Sequence, residues 1–158
     1  MNLAGAVASH KKLIYNLMNQ SEQELTIRLP VARVSSGVNP LFGDSTRETD
    51  KTGTELGPIK CIWYDALSAR STGITGYSML NELVTGQYKS ATAFAEVWLD
   101  DVLIDPANPK GKTWIDKAKH IIYLDNIYEP IGEIRLGLAT AAPYILMIVL
   151  KGAAGYDE

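Results

Sequence analysis

Near the start of the chain, Leu3, Val7, His10, Ile14 and Leu17 follow one another at alternating steps of four and three, with Leu13 and Met18 beside them. That period lines one face of a helix with apolar side chains. The spacing therefore predicts an N-terminal helix over 3–19, with Lys11, Lys12, Asn16 and Asn19 on its polar face and Ser21 as its breaker. An apolar stripe of this kind needs a surface to lie on.

From Gln23 the period changes to two. Leu25, Ile27, Leu29 and Val31 alternate with Thr26, Arg28 and Pro30, the pattern of a half-buried strand running on towards Val34. Pro30 has no N–H to give a ladder, which argues for an edge position or a bulge. Further strands are expected at Ile59–Tyr64, Thr92–Leu99, His120–Leu124, Ile127–Leu136 and Tyr144–Lys151, each rich in β-branched and aromatic residues. Between them the pattern predicts a loop over Arg70–Tyr77, a short helix within Ser78–Gly86, a turn at Asp100–Asp101 and dense turn chemistry over Asp105–Gly111. A single helical turn is expected within Trp114–Lys119 and a tight hairpin at Asp125–Asn126. Residues 152–158, which include Tyr156, lose the strand pattern and form a flexible tail.

The expected fold is mainly β with an N-terminal α-helix, a small six-stranded antiparallel β-barrel or sandwich over 23–151, in a single domain spanning 1–158. The long excursion between Gly37 and Gly57 is the first place to look for function. It holds turn formers, four threonines and charges of both signs, and loops of that length in compact domains are usually functional or disordered. Closure entropy grows slowly with length, so shortening this loop should cost folding little.

Composition adds limits. With 46% hydrophobic and 21% charged residues the chain is an ordinary globular sequence. Lys and Arg total 15 against 18 Asp and Glu, a net charge of -3, which lacks the basic footprint of a dedicated nucleic-acid binder. The single cysteine, Cys61, lies in an apolar run and reads as a buried, inert thiol. The N-terminus has no basic segment before an apolar stretch, so export is not expected, and the apolar run Tyr144–Leu150 is too short for a membrane-spanning helix.

Candidate chemistry is thin. The two histidines, His10 and His120, have no ligand-spaced partner, and no Gly-x-Ser-x-Gly elbow presents a nucleophile. Gly111-Lys112-Thr113 fails as a phosphate loop because Pro106 stands where glycine is required. Asp100, Asp101, Asp105 and Asp116 crowd one region without calcium-loop spacing, and turn chemistry explains them. Trp63, Trp98 and Trp114 read as core or interface anchors. The expectation is no catalytic residue, no metal site and no cofactor.

Several stretches together resemble the head-closure, or neck, proteins of tailed bacteriophages: Asn39-Pro40-Leu41-Phe42-Gly43-Asp44, Asp101-Val102-Leu103-Ile104-Asp105-Pro106 with Asn108, Pro109 and Gly111, and Gly137-Leu138-Ala139 with Pro143-Tyr144-Ile145-Leu146. Individually these motifs are turn-like and of low specificity; their order carries the likeness. The resemblance implies a helix and small barrel around a long loop, with copies forming a ring of about six or twelve subunits between the portal or adaptor and the tail. It maps a gating or channel loop onto Gly37–Gly57, with Val38, Asn39, Phe42 and Asp44 on it and Arg47 and Lys51 placed to touch phosphate of double-stranded DNA in the lumen. It also implies a subunit or partner interface that includes Leu3, Val7, Ile14, Leu17 and Tyr156, using exposed strand edges and apolar anchors. The implied partners are further copies of the chain, a portal or adaptor protein, and a tail tube or tail-terminator protein, without a membrane. The implied location is the virion neck, after synthesis in the bacterial cytoplasm. Two alternatives stand beside it: a tail-terminator or tail-completion protein, and a small ligand-binding β-barrel or enzyme with a deep polar pocket.

Overall fold

The computed structural model describes residues 2–30, 53–65, 90–138 and 142–153. An N-terminal helix, α1 (Leu3–Gln20), precedes six strands: β1 (Glu24–Arg28), β2 (Glu55–Asp65), β3 (Ala93–Trp98), β4 (His120–Tyr123), β5 (Asn126–Leu136) and β6 (Ile145–Gly152). All pairings are antiparallel, and the order β1-β2-β3-β6-β5-β4 closes back on β1 as a barrel, not a sandwich. Closure corrects the expectation of exposed strand edges, because β1 and β4, which would be the edges of an open sheet, pair with each other.

Helix α1 begins where Asn2 caps it, its Oδ1 accepting from the Gly5 N–H at 2.7 Å. It ends at Ser21, whose extended backbone starts the descent into β1. Inside the barrel, alternate residues from each strand converge: Leu25 and Ile27 of β1, Cys61 of β2, Ala93, Ala95 and Val97 of β3, Ile121 and Tyr123 of β4, and Leu146, Ile148 and Leu150 of β6. The two alanines matter. Ala95 pairs directly with Trp63, and the space its methyl group leaves is taken by Trp63 stacked on Tyr123, ring centroids 4.0 Å apart, with Tyr128 edge-on at 4.9 Å.

One end of the barrel is closed by a short helix, α2 (Leu99–Val102), and the chain after it. Leu99, Val102, Leu103 and Ile115 enter the core, and the turns between them are held by backbone bonds such as Trp114 N–H to Val102 O at 2.8 Å. This plug answers a problem set by β5. Glu133 and Arg135 pair with Ile148 and Leu146, so both side chains start on the inner face. Glu133 accepts from the buried Thr113 hydroxyl at 2.7 Å, and Arg135 donates to the carbonyls of Pro109 and Gly111. Charges on an inner wall persist only with such partners.

The outside of β3 and β6 is largely apolar and covered as well, with the buried Glu96 as its one acid among the described residues. Phe94, Met147 and Val149 are buried there beside Tyr64, Ile131, Ile134 and Leu136. Strands buried on both faces lose the clean alternation of a half-exposed sheet.

Several expected boundaries move. β1 stops at Arg28: Leu29 makes one more backbone bond, to Thr54 O at 2.9 Å, and Pro30 has no donor to continue. β2 starts at Glu55, so Glu55–Gly57 belong to a strand and not to the long loop. The sequence pattern is interrupted there because Gly57–Pro58 carries a bulge, with Leu25 opposite Ile59 but Ile27 opposite Leu56. Gly57 has φ +138 and lies where a Cβ would meet Leu25 O at 3.1 Å, so the position demands glycine. Pro130 likewise sits at a bulge in β5. Asp100 and Asp101 form the first turn of α2 instead of a turn between strands. The β4–β5 hairpin turns on Leu124–Asp125, one residue earlier than expected, since Tyr123 pairs with Asn126. Gly152 is the last residue of β6, and both it and Ala153 are tied down, to the Thr92 hydroxyl and Ile127 O, so the expected tail loses its first two residues. The loop over Arg70–Tyr77 and the helix within Ser78–Gly86 lie outside the described residues, as do residues 31–34 of the expected first strand.

The packing predicts unequal costs. Ile148→Ala should destabilise the barrel by about 3 kcal/mol in urea unfolding, whereas Leu13→Ala on the exposed side of α1 should stay within about 0.5 kcal/mol.

Candidate interaction surface

Because α1 is amphipathic, its seat decides which residues remain available. It lies across the outer face of the barrel, with buried Met18 and half-buried Val7 and Ile14 against Tyr144, Ile145, Ile62, Trp98, Leu136 and Leu138. His10 belongs to this seat. The Tyr144 hydroxyl accepts the Leu138 N–H at 3.2 Å and shares a hydrogen bond with His10 Nδ1. Lys11 places its ammonium 5.0 Å from the Tyr144 ring, and Tyr15 meets Trp98 edge-on.

The predicted interface residues divide on this helix. Val7 and Ile14 face the barrel, while Leu3 and Leu17 point away from it, 52% and 46% exposed, joined by Leu13 at 56%. The divergence has a simple cause. Each residue turns the helix by about 100°, so a stripe wide enough to hold Leu3, Val7, Leu13, Ile14 and Leu17 cannot all lie against one sheet. The outer edge forms a second apolar strip on a helix with two lysines and no acid. The channel-loop residues Val38, Asn39, Phe42, Asp44, Arg47 and Lys51, and the interface residue Tyr156, lie outside the described residues.

Other candidate chemistry resolves into structure. His120 is buried at the start of β4, opposite Arg28; burial lowers its pKa, and the charges of Lys119 and Arg28 lower it further. Asp105 accepts from the Ala107 N–H at 3.0 Å and Asp116 from the Thr113 N–H at 3.4 Å, both local turn bonds. An open depression of about 220 Å³ lies between the turn at Ile115–Ala118 and the bulge at Pro130–Glu133. Among the described residues, no group of three or more His, Cys, Asp or Glu converges as metal ligands, and no helix is long and apolar enough to cross a membrane.

Sequence reasoning missed three features. The Thr113–Glu133 and Arg135 anchors depend on β5 facing inward at Glu133, which a bulge at Pro130 sets and periodicity cannot show. The Tyr144–His10 bond was signalled by a histidine lying within an apolar stripe, since a polar group there requires a partner. Leu124, at the hairpin tip, is 73% exposed, and the preference of Asp and Asn for turns drew the expected hairpin one residue too far.

No protein-family model matches the chain, and neither a curated protein nor a solved structure matches it.

Three outcomes follow from this geometry. Tyr144→Phe removes both hydroxyl bonds and should cost about 1 kcal/mol, read as earlier loss of helical signal and faster amide exchange in α1. Burial pushes the Cys61 thiol up to about 12, with Glu24 raising it further and Lys60 opposing. The unfolded chain ionises that thiol near its ordinary value of 9.0, so the stabilising contribution is complete below that pH and is lost as pH rises from 9.0 towards 12. Unfolding titrations should show stability falling above about pH 9, less steeply in Cys61→Ala. In native protein at about pH 8 the thiol should resist a thiol reagent until urea exposes it.

Proposed function

We propose that this chain is a structural protein of a tailed-phage virion, forming a homo-oligomeric ring at the neck that closes the filled head and docks the tail. The observation that carries the reading is the combination of an N-terminal helix on a closed six-stranded barrel with large apolar residues left exposed on that helix. The architecture agrees with what the resemblance implied, and the exposed leucines are what a subunit completed by its neighbours retains. The turn-rich segments that carry the likeness, Asp101–Pro106 and Asn108–Gly111, form the plug of the barrel, held by Arg135 and Thr113. In this reading the plug is a rigid platform, and the segment from Gly37 towards Thr52 is the part that meets DNA or neighbours.

Double-stranded DNA is expected to pass the ring with weak, non-specific contact, since the chain carries a net charge of -3 and no basic surplus to hold phosphate. Attachment of tails to closed heads is the expected role, and the protein is proposed to catalyse nothing.

Antibody against the protein should label the head–tail junction of particles that carry it, and particles lacking it should be tailless and leak DNA. Full, tailed particles without the protein would overturn the reading, and labelling confined to free tails would move it to a tail terminator. Deleting 38–51, which spares β2, should keep a cooperative thermal transition yet abolish rescue of such particles.

A further inference from the structure

We draw no further inference here: the strongest candidate, the apolar strip of Leu3, Leu13 and Leu17 on the outer side of α1, carries none because nothing in the structure shows what covers it.

Discussion

Closing a barrel with only six strands is the constraint on which the rest of this molecule depends. The interior of an eight-stranded barrel is just wide enough for side chains to fill, and a six-stranded one is narrower. Bulk contributed by one strand must be matched by smallness on the next. Ala93 and Ala95 on β3 make room for Trp63, Tyr123 and Tyr128, and larger side chains return on β6 as Leu146, Ile148 and Leu150. The barrel also turns corners, and the bulges at Gly57–Pro58 and Pro130 supply the bends. Prolines that would break a regular ladder thus sit where the ladder is already broken.

Closure leaves the ends to be sealed, and the two ends are sealed differently. Aromatic rings fill one end, while α2 and the turns after it plug the other. The plug binds to β5 through Glu133 and Arg135, so the strand that carries charge inward is the one that holds the turns in place. The segment with the most turn formers in the described chain is therefore ordered by long-range bonds.

Much of this was legible in the pattern of residues. The helix over Leu3–Gln20 and the six strands follow from periods near 3.6 and 2, because burial on one face imposes those periods. What failed to show were features that depend on contacts distant in sequence. The start of β2 was hidden by Gly57–Pro58, which resemble a turn until β1 is laid beside them. The hairpin was displaced by one residue because Asp125 and Asn126 are better turn formers than Leu124, and pairing overrode that local preference. On α1 the heptad-like spacing announced an apolar face but not that the face is wider than the sheet can cover. The division into Val7, Ile14 and Met18 on the barrel and Leu3, Leu13 and Leu17 in solvent needed the seat itself.

Closure also decides how such a molecule can associate. An open sheet offers unpaired N–H and C=O groups, and partners add strands to it. Here β1 and β4 use each other, so the described strands leave no open edge for a partner strand. Among the described residues, what such a barrel displays outward is side chains on the elements that project from it. Of the exposed large apolar side chains among the described residues, four lie on α1 and the fifth is Leu124 at a hairpin tip. A contact made from side chains on a helix and a turn can be weakened or re-aimed without opening the barrel, because neither set contributes to its core. The stability of the barrel is thus carried by the closed ladder and its filling, and the leucines exposed on α1 and at the hairpin tip lie outside both.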